Sequence, residues 1–195
     1  GAGMTGVYRS STSIADVDGD GNQDLLITGQ DANRDPTTTL YLGAGTGSFT
    51  EADAGLTGVY RGSTSIADVD GDGNLDLLIT GLDANFDPTT TLYLGNGSGS
   101  FTEASAGLTG VGASTSVADV DGDGNRDLLI TGQDANSKTA TLYLGDGTGS
   151  FTEAGAGLTG VVSGSTSIID IGADGDLDLL ITGSGALFDE ASTRL

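Results

Sequence analysis

The stretch Asp68–Ile79, DVDGDGNLDLLI, joins an acidic loop to an apolar run, and close copies of it recur along the chain. The other copies begin at Asp16, Asp119 and Asp170, so the sequence repeats with a period of about 51 residues. Four units of one design account for most of the 195 residues. The repeated unit, and not the total length, therefore sets the architecture.

Each unit holds four short segments with the composition of β-strands. In the second unit they are residues 65–68, 76–80, 90–94 and 101–104, which we name strands A to D. They are rich in Leu, Ile, Thr, Tyr and Phe and are bounded by Gly, Asn and Asp, which favours antiparallel hairpins over helices. The run from Leu77 to Ile79 is apolar without alternation, so we expect strand B to be covered on both faces.

A radial array of four-stranded sheets would cover both faces of such a strand in every unit. Repeats of about 40 to 50 residues with four strands are typical of β-propellers. We therefore predict an all-β fold, a β-propeller-type array of four-stranded antiparallel blades in one domain over residues 1–195. The four repeats are predicted at 1–52, 53–104, 105–154 and 155–195, and the last blade is expected to lack most of strand C and all of strand D.

Composition excludes several classes of function. The formal net charge of −22 argues against nucleic acid as a partner, because phosphate binding requires Lys and Arg. No run of about 18 apolar residues is present, so no membrane span is expected. The chain has no Cys and no His, which removes the usual zinc and copper ligands and the commonest acid–base and thiol catalysts. We therefore expect no enzymatic activity.

The acidic loop carries the donor set of a calcium site. Carboxylates stand at positions 1, 3, 5 and 9, Gly at position 6 and Asn at position 7, whose backbone carbonyl would complete the set. Calcium accepts six to eight oxygen ligands in flexible geometry, whereas magnesium requires a stricter octahedron. Position 12 is Ile and not the bidentate Glu of an EF-hand, so position 9 closes the site at the start of strand B.

We predict one calcium ion per repeat, four in all. The predicted ligands of the first three loops are Asp16, Asp18, Asp20, Asn22, Asp24, Asp68, Asp70, Asp72, Asn74, Asp76, Asp119, Asp121, Asp123, Asn125 and Asp127. In the fourth loop, Gly172 replaces the carboxylate at position 3 and Asp176 replaces the Asn at position 7, so weaker or different coordination is expected. Its predicted ligands are Asp170, Asp174, Asp176 and Asp178. The alternative for all four loops is an ordinary Asx and Gly turn without metal.

A second acidic pattern stands between strands B and C. Asp31–Asp35 and Asp83–Asp87 also alternate oxygen ligands, but both lack a closing carboxylate and are followed by Pro. An Asx turn is therefore favoured over a second cation site.

The acidic loops followed by Leu-Leu-Ile, together with the pattern Leu-Tyr-Leu-Gly-x-Gly-x-Gly-Ser-Phe at Leu40–Phe49, Leu92–Phe101 and Leu142–Phe151, resemble FG-GAP and VCBS repeats. This family includes the integrin α-chain propeller, and the resemblance covers essentially the whole chain. It implies calcium-stabilised blades and commonly an extracellular role in adhesion or ligand binding. Familiar members have seven blades, so the four units of this chain depart from the family pattern.

Candidate recognition residues lie in the loops that should oppose the acidic loops. If strands alternate in direction, the A–B loops and C–D turns share one face, and the B–C and D–A loops share the other. Aromatic and arginine side chains on loops of a rigid scaffold are favoured anchors for ligands. Those candidates are Tyr8, Arg9, Arg34, Tyr60, Arg61 and Phe86. The alternative is that the tyrosines simply pack over neighbouring strands.

These observations leave two main hypotheses of function. The first is a calcium-stabilised module, extracellular or at the cell surface, that serves in adhesion, in binding a protein or glycan, or as a structural element. The second is a self-assembling subunit of a ring or filament, in which a neighbouring chain completes the fourth blade at its open edge. A lectin or part of a carbohydrate-active enzyme is the third alternative.

Overall fold

The computed structural model of the protein describes residues 4–185, and every regular element in this range is a β-strand. The strands are β1 (Tyr8–Ala15), β2 (Asp24–Gln30), β3 (Pro36–Gly43), β4 (Phe49–Ala52), β5 (Thr64–Ala67), β6 (Asp76–Leu82), β7 (Pro88–Gly95), β8 (Phe101–Ala104), β9 (Gly112–Ala118), β10 (Asp127–Gln133), β11 (Lys138–Gly145), β12 (Phe151–Glu153), β13 (Val162–Ile169) and β14 (Asp178–Ser184).

These strands form four antiparallel sheets, which we call blades 1 to 4, and in each blade the strands pair in chain order. Blades 1 to 3 have four strands each, and the described part of blade 4 has β13 and β14. The all-β fold and the four-stranded antiparallel blades are therefore confirmed. The expected truncated strand C of blade 4 lies outside the described residues.

The strands are longer than the sequence predicts at one end of strands B and C. Strand β6 continues to Leu82, and β7 begins at Pro88, a residue expected in the loop between them. Pro88 pairs with Leu82 at the first position of its strand, where the missing N–H is tolerated. The predicted repeat boundaries fall at the ends of β4 and β8 and one residue after β12, and the single domain stays a prediction.

Strand B is buried on both faces in the two middle blades. Leu77, Leu78 and Ile79 expose 0%, 2% and 1% of their surface, as the unbroken apolar run predicts. Leu78 faces blade 3 and packs with Leu128 and other residues there, while the two neighbours of Leu78 pack with the core of blade 1. Sheet-on-sheet packing of this kind buries apolar side chains of neighbouring blades against each other.

Neighbouring blades also touch through hydroxyl groups on their first strands. The Oγ atom of Ser13 lies 2.6 Å from Thr64 Oγ1, joining blade 1 to blade 2. Equivalent contacts of 2.6 Å and 2.7 Å join blades 2 and 3 and blades 3 and 4. This row of hydroxyl contacts was not predicted from the sequence.

The link between strand D and the next strand A fastens two blades together. Thr57 N donates to Tyr93 Oη of blade 2 at 3.0 Å, while Val59 O accepts from Gly29 N of blade 1 at 3.0 Å. Gly58 stands between these two contacts, against the backbone of Pro36 and Thr37. Any side chain at Gly58 would meet the carbonyl of Pro36, so the link can approach blade 1 only without a Cβ atom.

We predict that Gly58→Ala lowers the free energy of unfolding by about 1–3 kcal/mol, because the added methyl group must push the link away from blade 1. The matched control is Gly6→Ala, the same position of the first repeat, where an added Cβ meets nothing within 4 Å. Urea denaturation of both variants measures the difference. Equal effects would mean that the link does not hold the two blades together.

Candidate metal centre

The aspartate at position 9 of the acidic loop is held by the backbone on both of its carboxylate oxygens. Asp76 accepts from Val69 N at 2.8 Å with Oδ2 and from Gly95 N at 2.9 Å with Oδ1. Asp24 and Asp127 make the same pair of bonds in the first and third blades. All three side chains are at most 1% exposed. This residue therefore ties the acidic loop, the start of strand B and the end of strand C to one point.

Carboxylates from positions 1, 3 and 9 come together in each of the first three loops. In every group, one oxygen from each of the three residues lies within 4.8 Å of the other two. The groups are Asp16, Asp18 and Asp24; Asp68, Asp70 and Asp76; and Asp119, Asp121 and Asp127. Calcium binds oxygens at about 2.3–2.6 Å, so two ligands of one ion are at most about 5 Å apart. The three groups therefore fit a calcium ion.

The loop backbone wraps around the carboxylate at position 1. Asp68 accepts from Gly71 N at 2.8 Å and from Gly73 N at 3.0 Å. Both glycines have left-handed backbone angles, with φ of 75° and 88°, which a side chain would strain. The glycines of the motif thus set the curvature that brings positions 1, 3 and 9 together.

The structure does not bring the carboxylate at position 5 into these groups. Asp72 Oδ1 accepts from Asn74 N at 2.7 Å, and Oδ2 accepts from Asn74 Nδ2 at 2.8 Å. The backbone hydrogen bond from Asn74 lowers the pKa of Asp72 below its ordinary value. Asp20 and Asp123 are bonded in the same way to Asn22 and Asn125. Position 5 would need to exchange these bonds in order to ligate a metal, so its role stays a prediction.

The acidic loops and the glycine-rich C–D turns share one face, in agreement with alternating strand directions. The side chain of Asn74 lies directly against Gly97, where any Cβ atom would collide with its amide oxygen. A Cβ atom at Gly99 of blade 2 would lie 3.6 Å from the Cβ atom of Asp18 in blade 1. The C–D turns of blades 2 and 3 therefore each lie against the loop of their own blade and that of the blade before it.

The fourth loop keeps the backbone bonds of the motif without the cluster. Asp170 accepts from Gly175 N at 3.0 Å, and Asp178 accepts from Ile171 N at 2.9 Å. Position 3 is Gly172, and no group of three close carboxylates forms in this loop within the part of the chain that the structure describes. Weaker or different metal binding by Asp170, Asp174, Asp176 and Asp178 stays a prediction.

Negative charge of the aspartates is concentrated in the clusters when no metal is bound. Burial raises the pKa of Asp76, backbone hydrogen bonds from Val69 and Gly95 oppose the change, and the nearby charges of Asp70 and Asp68 raise it further. Burial likewise raises the pKa of Asp127. Burial also raises the pKa of Asp18, and the charges of its neighbouring aspartates act in the same direction. The charged form of these aspartates is therefore less favoured in the folded, metal-free protein than in water.

The second acidic pattern forms turns, as the sequence favours. Asp31 Oδ1 accepts from Asn33 N at 2.8 Å and from Asp35 N at 2.9 Å, and Asp83 makes the same bonds in blade 2. No group of three close carboxylates occurs at these turns among residues 4–185.

Five of the six candidate recognition residues line one cleft of about 540 Å³ between blades 1 and 2, formed by Tyr8, Arg9, Arg34, Tyr60 and Phe86 with Gln30 and Ala32. Tyr8 begins β1 and the acidic loop follows its other end, so the cleft lies roughly 23 Å from the candidate metal centre. The sixth candidate, Arg61, lines a neighbouring cleft of about 800 Å³ together with Phe86.

The aromatic side chains of the first cleft differ in exposure. Tyr60 is 2% exposed and meets Phe86 edge to face, with ring centroids 6.5 Å apart. This agrees with the packing alternative for Tyr60, whereas Phe86 and Tyr8 are 72% and 40% exposed. Arg34 and Phe86 hold left-handed backbone angles, with φ of 74° and 69°, which non-glycine residues adopt infrequently. The structure therefore presents the exposed side chains on constrained loops.

The sequence was compared with models of known protein families, and one family matches. The model of the FG-GAP-like repeat matches residues 16–79, 68–130 and 119–181. The chain belongs to the FG-GAP-like repeat family. Each FG-GAP match begins at position 1 of an acidic loop and ends in strand B of the next blade, so it spans two successive acidic loops and one junction between blades.

A comparison with the curated proteins gave no match. Within residues 4–185, no helix is long and apolar enough to cross a membrane.

We predict that Asp76→Asn destabilises the metal-free protein by about 1–3 kcal/mol, because an amide can accept only one of the two backbone hydrogen bonds and leaves a buried N–H without an acceptor. Urea denaturation in EDTA measures this loss apart from any loss of metal. The control is Asp72→Asn at the exposed position 5, where little change is expected. Similar losses in both variants would contradict the role of position 9.

The pKa directions also predict how metal binding depends on pH. Because burial raises the pKa of Asp76 and Asp127, their charged forms destabilise the metal-free fold above these pKa values. That penalty disappears as the pH falls through the raised pKa values toward the ordinary value of an aspartate. Calcium requires the charged forms, so its stabilising effect shrinks over the same range.

Thermal melts in calcium and in EDTA, taken from neutral to mildly acidic pH, test this expectation. The difference between the two melting temperatures should decrease steadily as the pH falls. Subtracting the two series removes the contribution of carboxylates far from the clusters. A difference that stays constant with pH would show that these aspartates do not ligate the ion.

Proposed function

We propose that the chain is a calcium-stabilised, non-catalytic β-propeller module, extracellular or at the cell surface, that binds a protein or glycan ligand. The observation that carries the proposal is the recurrence of a three-carboxylate cluster in every blade with four described strands. Each cluster contains a buried aspartate that is part of the fold itself. An ion held there would stabilise the blade directly.

Calcium is the ion that best suits these donors. All donors are carboxylate or carbonyl oxygens, and the sequence contains no His or Cys that would favour zinc or copper. The three carboxylates of a cluster repel one another within 4.8 Å, at roughly 1 kcal/mol per pair in water and about 3 kcal/mol at the effective dielectric of a protein surface. A divalent cation cancels this repulsion.

A bound ion would neutralise the carboxylates electrostatically, and the protein chain holds those carboxylates in position. Asp16, Asp18 and Asp24, with their counterparts in blades 2 and 3, would hold it. Because Asp24 is bonded to the end of β3, an ion bound there would fix the A–B hairpin to strand C. The opposite ends of the same strands carry the exposed side chains of the cleft. Metal binding thus stiffens the scaffold from which a ligand is recognised.

An extracellular setting agrees with this chemistry. Calcium modules outside the cell commonly bind at about 0.1–1 mM, because the ion is abundant there. A chain without Cys has no disulfide to stabilise it, and the metal clusters offer an alternative staple. The formal charge of −22 suits solubility, and three bound divalent ions would leave the protein strongly acidic.

We predict that calcium raises the melting temperature and that EDTA reverses the increase, because metal binding contributes to the free energy of folding. Titration calorimetry should give three similar sites. Asp70→Ala should remove one of them, whereas Asp87→Ala, an exposed aspartate of the opposite loops, should remove none. Magnesium at equal concentration is the ion control and should stabilise less. An unchanged melt after exhaustive chelation would refute the proposal.

We also predict that ligand binding depends on the cleft between blades 1 and 2. The probe is a printed array of neutral and acidic glycans, together with a panel of extracellular-matrix proteins. Any ligand found should bind at least about tenfold more weakly to Arg34→Ala, a loss of roughly 1.4 kcal/mol. Arg126→Ala, which removes an arginine from the third acidic loop, is the matched control. Equal binding by both variants would place recognition elsewhere.

A further inference from the structure

Each junction between blades uses the same run, Ser-Thr-Ser, which lies on strand A in blades 1, 3 and 4 and begins one residue before that strand in blade 2. The Thr of one blade inserts between the two Ser of the blade before it. Thr64 Oγ1 lies 3.3 Å from Ser11 Oγ and 2.6 Å from Ser13 Oγ. The corresponding distances are 3.3 Å and 2.6 Å for Thr115, and 3.1 Å and 2.7 Å for Thr166. The three junctions are therefore nearly identical.

These junctions are largely buried and have an apolar layer beside the hydroxyl groups. The three inserted threonines expose only 8%, 9% and 8% of their surface. Leu77 and Ile79 of strand β6, which stand on the same face as Thr64, pack against Leu26 of blade 1. One blade contributes a face with two serines, and the next blade contributes an unlike face with one threonine. The contact is thus heterologous, joining two different surfaces.

The first blade carries the threonine half of such a junction without a described partner. We define its leading face as Thr12, Ile14, Leu25 and Ile27, which share one side of the sheet because Thr12 pairs with Ile27 and Ile14 with Leu25. Thr12 is exposed and Ile14 is 59% exposed. Leu25 and Ile27 are half-buried, whereas their counterparts Leu77 and Ile79 are almost fully buried.

The fourth blade carries the serine half. We define its trailing face as Ser165, Ser167, Leu180 and Thr182, since Ser165 pairs with Thr182 and Ser167 with Leu180. Both serines are exposed, and Leu180 is 43% exposed, whereas its counterparts Leu78 and Leu129 are only 2% and 0% exposed. The trailing face therefore has the composition of the surface that receives the next blade at each internal junction.

We propose that the leading face of a second copy of this chain docks on the trailing face of the first, with Thr12 of one copy between Ser165 and Ser167 of the other. Three junctions within the chain already show that these two surfaces fit each other. None of the eight side chains is charged, so the net charge of −22 lies outside the contact. Repetition of one heterologous contact gives a ring if the rotation closes and a filament if it does not.

This contact differs from completion of blade 4 by a strand from a neighbour. Strand addition would use the edge of β14 that pairs with no other strand among residues 4–185, and its strength would depend little on side chains at Thr12 or Ser167. Face-to-face docking depends on both residues and leaves the edge of β14 unused. Substitutions on the two faces therefore separate the two modes of association.

The first test is a cysteine pair, Thr12→Cys with Ser167→Cys, in a chain that has no other cysteine. The two equivalent hydroxyl oxygens lie 2.6–2.7 Å apart at the internal junctions, close enough for a disulfide between copies. After mild oxidation in calcium, non-reducing electrophoresis should show covalent dimers or a ladder. The control pair, Thr12→Cys with Thr102→Cys on the exposed side of β8, should remain a single chain. Equal yields from both pairs would overturn the proposal.

The second test measures mass in solution by sedimentation over a wide range of protein concentrations in calcium. The unmodified chain should reach at least twice its mass of 19.2 kDa. Thr12→Lys and Ser167→Lys should each reduce the mass to that of one chain, because each buries a charge in the contact. Thr102→Lys should have no effect, and circular dichroism verifies that all variants fold. If the unmodified protein has the mass of a single chain, a second copy does not dock on these faces and the proposal is wrong.

Discussion

The buried carboxylate at the start of strand B is the constraint on which the rest of the structure depends. Burying a charge costs free energy unless it is hydrogen-bonded or paired. Asp76 meets this requirement with two backbone N–H groups, from Val69 and Gly95, that belong to different segments of the blade. These bonds hold the acidic loop at the end of strand C, and they leave the charge itself for a cation to neutralise. One side chain thus serves both the fold and the candidate metal centre.

This arrangement separates two tasks along the length of each blade. One end repeats the same loop and turn with little variation, because the carboxylates, glycines and Asn74 all have fixed partners there. The other end varies from repeat to repeat, with Arg34 and Phe86 at the same left-handed position of successive loops. A rigid end can support a variable end only if the strands between them are well packed, which the buried run from Leu77 to Ile79 provides. The separation between the uniform end and the variable end of each blade therefore depends on this packing.

The sequence predicts the period, the four strands of a blade and the burial of strand B, since each depends on patterns that recur in every unit. It also identifies the acidic loop, but it treats positions 3 and 5 alike because both are aspartates. Only the folded turn distinguishes them, by directing Asp72 toward Asn74 and Asp70 toward the cluster. The Ser-Thr-Ser run recurs just as regularly, yet its composition is ordinary for a strand. Its role depends on contacts about 50 residues apart in sequence, such as that between Ser65 and Thr115.

The first two carboxylate clusters and the junctions between blades are in direct contact. The glycine-rich turn of one blade lies against the position-3 aspartate of the blade before it, as Gly99 does with Asp18 and Gly149 with Asp70. Asp18 and Asp70 are accordingly half-buried, whereas Asp121 of the third cluster is exposed. Asp121 is the same residue type at the same loop position as Asp18 and Asp70. Unlike them, it has no turn of a following blade against it among the described residues. Within the chain, a blade with a described neighbour on its trailing side therefore also has its position-3 carboxylate shielded from water, so that blade packing shapes the surroundings of the candidate metal cluster.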